Sequence, residues 1–224
     1  MQKPALVIMA KIPSSGGKSR LQELLTPRQR EQLQWAFLLD ILDKTQKIKE
    51  FSVFLALTPA HRVAEMVGRV GPGIKIMTQP EGDLGVRMFT AASRLFKQRY
   101  GPVLIIGTDI PTLQPYYLKQ ALEELQNHSV VLGPTLDGGY YLIGLSYPEQ
   151  SLFEDISWST GEVFRQTLDC CHRLKLPCGL LPPVRDIDWP ADLLELAAAL
   201  REENTAEDWF PHRTADFLAK LPIL

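Results

Sequence analysis

The chain has 224 residues, of which 45% are hydrophobic and 22% are charged, so it is long enough to bury a full core. Its formal net charge of -2 provides no overall basic field that would favour nucleic acid or an anionic membrane. The three cysteines lack a CxxC spacing, which disfavours a disulfide framework and a zinc site. No apolar stretch is long enough to span a membrane, and the composition predicts a soluble, cytoplasmic protein.

In the first half of the chain, apolar runs alternate with helical patterns. Thr26 and Gln29 predict a capping box that heads a long helix, and Asp83 predicts the cap of a later one. The predicted elements, in order, are a strand at 5–10, a helix at 27–48, a strand at 51–57, a short helix near 60–68, a strand at 74–77, a helix from 83 to about 99, a strand at 103–106 and a helix near 114–126.

The second half is less regular. Ser159 to Glu162 has the pattern of a second capping box. Strands are predicted at 129–132, 140–145 and 178–181, and helices from the second box to about 174, at 190–202 and at 205–219. The strand after Asp137 follows no crossover helix, so we expect it to run against its neighbours. The whole pattern predicts one α/β domain over residues 1–224, with a mostly parallel mixed sheet between two layers of helices.

Asp109 directly follows the most apolar strand. The run Val103 to Ile106 is typical of a strand that is buried on both faces, and Gly107 and Pro111 end it. The carboxyl edge of such a sheet is where ligands bind in open α/β folds. Asp109 is therefore a candidate ligand for Mg²⁺ or Mn²⁺, although an acid in this position also caps turns.

A hard cation held by protein carboxylates usually needs a second acid nearby. Three aspartates in the second half of the chain are candidates: Asp137 before a glycine pair, and Asp186 and Asp188 before a helix that begins at Pro190. The alternative role for Asp188 is to cap that helix.

The loop after the first strand carries Lys11, Lys18 and Arg20, with Gly16 and Gly17 between them. Small residues let backbone amides approach a phosphate, and the cations offset its charge, so this loop is a candidate phosphate-binding site. The loop does not contain the Walker pattern, and an ordinary solvated loop remains the alternative.

Two further segments are candidates for ligand contact. Gly138 and Gly139 allow a close approach of the backbone just after Asp137, which is itself a candidate general base. Arg87 lies one turn inside the helix that Asp83 caps, where backbone amides can meet an anion. A plain helix cap is the alternative there.

Six segments in order resemble the bacterial family of candidate glycosyltransferases with the GT-A, nucleotide-diphospho-sugar transferase fold, and more distantly the nucleotidyltransferases of molybdenum-cofactor and coenzyme F420 biosynthesis. The similarity spans residues 5–195. Its segments are Ala10-Lys11-x-Pro13 with Lys18 to Leu21, Gly82 to Met88, Gly107-Thr108-Asp109-x-Pro111, Leu132-Gly133-Pro134 with Asp137 to Leu142, Trp158-Ser159-Thr160, and Asp186-x-Asp188 with Asp192-Leu193.

This resemblance implies roles for individual residues. The first loop would hold a nucleotide and its phosphates, Asp109 would be the metal-binding acid, Asp188 would be a second acid beside the metal, and Asp137 with its glycine pair would face the sugar or acceptor. The loop departs from the family pattern, because it is one residue shorter and has Ser15 and Ser19 where proline and threonine are usual.

The resemblance implies a metal-dependent transferase that uses a nucleotide-activated donor, with sugar transfer as the first expectation. The alternative is transfer of a nucleoside monophosphate from a triphosphate to a small phosphorylated or sugar acceptor. A second alternative is a nucleotide-binding protein without catalysis. The expected partners are small nucleotides, and nucleic acid is not expected.

Overall fold

The protein is described here by a computed structural model that covers residues 2–202 and 209–221. Within these residues seven strands form one sheet. The strands are β1 (Ala5–Lys11), β2 (Ser52–Thr58), β3 (Ile74–Thr78), β4 (Val103–Ile106), β5 (Val130–Pro134), β6 (Tyr140–Leu145) and β7 (Cys178–Leu180). Their spatial order is β3-β2-β1-β4-β6-β5-β7. The predicted fold class, a mostly parallel mixed sheet flanked by helices, is confirmed.

Six α-helices accompany the sheet in the described ranges: α1 (Pro27–Thr45), α2 (Leu84–Lys97), α3 (Pro115–Glu124), α4 (Val163–Arg173), α5 (Pro190–Glu202) and α6 (His212–Leu218). The segment Ala60–Met66, predicted as a short helix, is a 3-10 helix. The predicted helix at 27–48 ends three residues earlier. The predicted helix at 205–219 is seen as α6, and its first part, 205–208, lies outside the described residues.

The local signals at two helix starts are confirmed. Thr26 accepts a hydrogen bond from the backbone amide of Gln29, whose own side chain accepts one from the Thr26 amide, and Pro27 opens α1. The Asp83 carboxylate accepts from the Val86 amide over 2.8 Å and caps α2. Such caps satisfy amides that would otherwise be left unpaired at a helix start.

Both faces of the sheet are covered. On one face the buried side chains of β1, β2 and β4 pack against α1 and α3, and on the other face they pack against α2 and α4. A third apolar cluster joins α1 to α5 and α6 and includes Leu21 and Leu25 from the segment before α1. The continuous apolar strands of the sequence are explained by this two-sided burial.

The direction of β6 determines where the loops meet. β6 runs antiparallel to β4 and to β5, and every other adjacent pair in the sheet is parallel. The carboxyl ends of β1, β4 and β5 and the amino end of β6 therefore lie at one edge. Lys11, which ends β1, lies at that edge together with Asp109 and Asp137 from the loops after β4 and β5. No helix in the described residues is long and apolar enough to cross a membrane.

Candidate active site

A continuous groove runs along the carboxyl edge of the sheet. One half, about 590 Å³, is lined by the first loop, the start of α2 and the end of β4. The other half, about 630 Å³, is lined by the loops after β4, β5 and β7 and by the segment before α4. Both halves share Asp109 and Asp188, so these two residues mark the junction of the groove.

Lys18 joins the two aspartates at this junction. Its ammonium contacts Asp109 Oδ1 at 2.7 Å and Asp188 Oδ1 at 2.8 Å, and it also donates to the Ile187 carbonyl at 2.6 Å. The Lys18 side chain is 9% exposed, whereas that of Asp109 is 50% exposed. The ring of Phe37 lies 5.6 Å from the ammonium. The carboxylate of Asp109 thus faces the groove.

Two polar residues of α1 shape the first loop. The buried guanidinium of Arg30 donates to the carbonyls of Gly17 and Ser15 at 3.1 and 3.0 Å. Gln34 donates to the Ser14 carbonyl at 2.8 Å. These bonds satisfy backbone oxygens that the tight loop leaves without helix or sheet partners. Sequence reasoning missed both residues, because helical periodicity does not reveal which loop a polar side chain will contact.

The loop that carries Asp109 is held from two sides. Its backbone carbonyl accepts a hydrogen bond from the Ile187 amide at 2.9 Å, which ties it to the segment with Asp188. Lys44, which is buried in α1, donates to the carbonyl of Pro111. Both contacts hold the backbone of this loop in place, and this backbone determines the position of the Asp109 carboxylate.

Asp188 does not cap α5. Asp192 provides that contact instead, because its carboxylate accepts from the amides of Asp188 and Trp189 at 3.3 and 2.8 Å. The Asp188 carboxylate is used by Lys18 and by Arg20, whose Nη1 lies 2.7 Å from Oδ2. The alternative of a plain helix cap is therefore wrong for Asp188.

Charge pairing sets the ionisation of the junction. Burial alone would raise the pKa of Asp188, but Lys18 and Arg20 hold that pKa below its ordinary value. Burial alone would lower the pKa of Lys18, and the carboxylates of Asp109 and Asp188 more than reverse this, so the pKa is raised. The junction therefore contains an ionised Asp188 carboxylate and a protonated Lys18 amine near neutral pH.

Asp186 has the opposite environment. Burial and the nearby carboxylates of Asp137, Asp188 and Asp109 raise the pKa of Asp186 to about 6. Its side chain lines the half of the groove that also contains Asp137. The carboxylates of Asp137, Asp188 and Asp109 thus add to the effect of burial on Asp186.

We expect Asp186→Asn to stabilise the metal-free protein clearly more at pH 7.5 than at pH 5. An acid with a higher pKa in the folded state binds more protons when folded, so folding is penalised as pH rises from about 4, its ordinary pKa, to about 6. Urea unfolding in EDTA at both pH values measures the difference in the free energy of unfolding between the variant and the wild type. The surface variant Asp169→Asn is the control, and an equal effect of Asp186→Asn at both pH values would contradict the expectation.

Asp137 is fixed in a turn between β5 and β6. Its Oδ1 accepts from the Thr135 hydroxyl at 2.5 Å and from the Gly139 amide at 3.0 Å. Gly138 has a φ of +90°, and a Cβ there would lie 2.1 Å from the Gly161 carbonyl oxygen. The turn therefore requires glycine at this position.

The capping box predicted at Ser159 to Glu162 is wrong. α4 begins at Val163, and Glu162 makes no side-chain cap; instead the Phe164 amide donates to the Gly138 carbonyl at 2.8 Å. The Thr160 hydroxyl donates to the Ser157 carbonyl. The start of α4 is therefore docked on the turn that holds Asp137.

The remaining predicted binding residues lie along the groove, except for Gly16 and Gly138, which are not in its wall. Lys11 lines both halves, Arg87 lines the half with the first loop, and Gly139 lines the other half. Gly17, rather than Gly16, is in the groove wall, and Gly16 is exposed in the same turn. Lys11, Lys18, Arg20 and Arg87 make the first half rich in cations, as a phosphate site requires.

Aromatic side chains line the other half of the groove. Trp158 and Trp189 are in its wall together with Tyr140, and the guanidinium of Arg20 stacks on the Trp189 ring at 4.9 Å. Trp158 and Tyr140 lie in segments of the resemblance, whereas no signal in the sequence indicated a role for Trp189. Trp189 is 53% exposed, and an exposed tryptophan beside a groove is typical of a ligand surface.

The donor set at the junction fits a divalent cation. Asp109 and Asp188 present carboxylate oxygens, which Mg²⁺ and Mn²⁺ prefer as ligands. Within the described part of the chain, no group of three or more His, Cys, Asp or Glu side chains could hold a metal ion. In phosphate-transfer sites Mg²⁺ is usually held by one or two carboxylates together with substrate phosphates.

Comparisons with known proteins identify the chain as a transferase. The chain is 26% identical over 210 residues to 3-phospho-D-glycerate guanylyltransferase of Phenylobacterium zucineum (strain HLK1), covering 91% of this chain and 94% of the relative. It is 25% identical over 195 residues to 2-phospho-L-lactate guanylyltransferase of Methanocorpusculum labreanum, covering 86% and 82%.

Solved structures confirm the fold. A candidate nucleotide-diphospho-sugar transferase from Desulfovibrio desulfuricans G20 superposes with a TM-score of 0.86 at 27% identity, covering 97% of each chain. A Mycobacterium tuberculosis H37Rv protein, solved as a manganese complex, shares the fold at 17% identity with a TM-score of 0.53, covering 87% of this chain and 98% of its own.

The chain belongs to the family described as an uncharacterized protein conserved in bacteria (DUF2064), whose model matches residues 41–160. The resemblance stated from the sequence motifs is thereby confirmed. Because both curated relatives transfer a guanylyl group, the comparisons favour the nucleotidyltransferase alternative over sugar transfer.

Proposed function

We propose that the protein transfers a nucleoside monophosphate from a nucleoside triphosphate, with GTP as the first choice, to a small phosphorylated acceptor. The observation that carries this proposal is the groove, in which a cation-rich half and an acceptor half meet at Asp109 and Asp188. The choice of guanosine is supported by the two guanylyltransferase relatives.

In this reaction an oxygen of the acceptor phosphate attacks the α-phosphorus of the triphosphate. The bond from that phosphorus to the bridging oxygen of the β-phosphate breaks, and pyrophosphate leaves. Lys11, Lys18, Arg20 and Arg87 line the half that would receive the triphosphate, and their charges would stabilise the leaving group.

Asp109 and Asp188, with Asp186 beside them, are the residues that would hold Mg²⁺ or Mn²⁺. A bound divalent cation would neutralise charge on the phosphate oxygens at the junction. Asp109 contributes its half-exposed carboxylate, and the Ile187 amide fixes the Asp109 backbone.

Asp137 would face the acceptor. With Oδ1 held by Thr135 and Gly139, the second carboxylate oxygen is oriented by the turn. An acceptor phosphate is already ionised at neutral pH, so a general base is needed only if the nucleophile is a hydroxyl. For a phosphate acceptor Asp137 would help to position the acceptor.

The test is a donor and acceptor panel. The purified protein is incubated with Mg²⁺ or Mn²⁺, with each of the four ribonucleoside triphosphates or with a set of nucleoside-diphosphate sugars, and with phosphorylated hydroxy acids that include 3-phosphoglycerate and 2-phospholactate. We expect pyrophosphate release from GTP, together with a guanylylated product in the mass spectrum. Release of a nucleoside diphosphate from a sugar donor, with the triphosphates inert, would overturn the proposal in favour of sugar transfer.

A further inference from the structure

Lys18 fills the gap between the two carboxylates that would hold the metal. Its ammonium donates to Asp109, to Asp188 and to the Ile187 carbonyl, all at 2.6 to 2.8 Å. These three acceptors match the three donors of an ammonium. A divalent cation held between the same two carboxylates would compete with the ammonium for them, because two cations in one position repel each other.

The backbone directs Lys18 to this position. Its φ of 49° and ψ of 43° are in the left-handed region, which a residue with a Cβ adopts rarely. Arg30 holds the preceding Gly17 and Ser15 carbonyls, and the Leu21 amide donates to the Lys18 carbonyl at 3.0 Å. The conformation is therefore imposed by the loop, and the buried side chain is not an ordinary surface lysine.

Arg20 behaves differently from Lys18. It contacts Asp188 through Oδ2 and not through the oxygen that Lys18 uses, it does not contact Asp109, and its side chain is 46% exposed. Lys11 makes no ion pair in the described part of the structure, although it lines the same groove. Among these three cations, Lys18 is the one that bridges both carboxylates of the junction.

On the basis of the proposed function, we propose that Lys18 occupies the metal position of the ligand-free protein and that the triphosphate of the donor nucleotide draws it away. Metal and nucleotide would then enter as a coupled pair, because the phosphates supply new acceptors for Lys18 at the same time as they supply ligands for the metal. Coupling of this kind is reciprocal, so metal would also strengthen nucleotide binding.

The consequence is a low metal affinity in the absence of nucleotide. If the metal bound without nucleotide, the Lys18 ammonium would lose its two carboxylate partners. This loss would be costly, because the Lys18 side chain is only 9% exposed. Removing the ammonium leaves Asp109 and Asp188 close together with one cationic neighbour fewer. Their attraction for a divalent cation should then increase.

The test measures Mn²⁺ binding without nucleotide, from the electron paramagnetic resonance signal of the free ion. We expect Lys18→Met to bind Mn²⁺ at least ~10-fold more tightly than the wild type, within the usual range of coupling between sites. Lys11→Met is the matched control, since it removes the same charge from the same groove, and we expect a change of less than about 3-fold. Equal affinities for the wild type and Lys18→Met, or equal gains in both variants, would overturn the proposal.

A second measurement uses the wild type alone, so the proposal can be tested even if Lys18→Met fails to fold. Crystals are soaked with Mn²⁺, with and without a non-hydrolysable GTP analogue. Without the analogue, we expect no anomalous peak between Asp109 and Asp188, and Lys18 in the position described. A Mn²⁺ peak there without nucleotide, with Lys18 displaced or in place, would overturn the proposal. The proposed function is judged separately by pyrophosphate release, so either conclusion can fail while the other holds.

Discussion

Replacing Asp109 with asparagine should lower kcat/KM for nucleotidyl transfer by at least ~100-fold, the size of effect seen when one electrostatic contact to a transition state is removed. Asparagine keeps the shape of the side chain but removes the negative charge at the junction. The Asp109 backbone contact with Ile187 does not involve the side chain, so the loop should be preserved. Steady-state assays with GTP across a range of Mn²⁺ concentrations measure the effect.

Asp169→Asn is the control for this variant. It makes the same chemical change on the exposed surface of α4, where Asp169 pairs with Arg165 outside the groove. We expect its kcat/KM to stay within about 2-fold of the wild type, as for surface changes with little effect on folding. If Asp109→Asn kept the activity and the Mn²⁺ dependence of the wild type, Asp109 would not be part of the active site.

Gly138→Ala should lower the free energy of unfolding by about 2–4 kcal/mol, because alanine is strained at positive φ and its methyl group would collide with backbone. The collision is with the Gly161 carbonyl oxygen, 2.1 Å from the Cβ position, and a backbone atom cannot rotate away as a flexible side chain can. Relief of the clash would separate the turn from α4. The contact from the Phe164 amide to the Gly138 carbonyl would then be lost, and Asp137 would move.

Urea unfolding provides the stability measurement, and the transfer assay reports the displacement of Asp137. Gly16→Ala is the matched control for stability, since Gly16 is exposed and a Cβ there would meet nothing within 4 Å. We expect that control to change the free energy of unfolding by less than about 0.5 kcal/mol. A Gly138→Ala protein as stable as Gly16→Ala would contradict the close packing of the turn against α4.

The fold could be predicted from sequence because its signals are local. The β-branched run of β4, the capping box of Thr26 and Gln29, and the Asp83 cap each depend on neighbouring residues. The reversed β6 was also predicted, since a strand that follows β5 through a short turn has no room for a crossover helix.

The errors arise where distant segments compete for the same groups. Ser159 to Glu162 has a capping pattern as good as that of Thr26, but the Gly138 carbonyl already binds the Phe164 amide near the start of α4. Arg30 gave no signal in the sequence, because its partners are loop carbonyls and not side chains.

The site was predicted in part. The cation-rich loop and Asp109 could be assigned from residue types, but the contact of Lys18 with both Asp109 and Asp188 could not. It depends on a left-handed backbone at Lys18 that no glycine marks. Asp186 was recognised as a neighbouring acid, whereas its raised pKa depends on three other carboxylates that the fold brings together.

The hydrogen bond between Lys18 and Asp188 spans 170 positions of the chain. During synthesis the first loop therefore leaves the ribosome long before its carboxylate partner exists, at the roughly 5–20 residues per second of translation. We expect a chain that stops before residue 186 to retain the strands up to β7 but to lack the junction. Binding of the nucleotide would then distinguish the full-length protein from nascent or truncated chains.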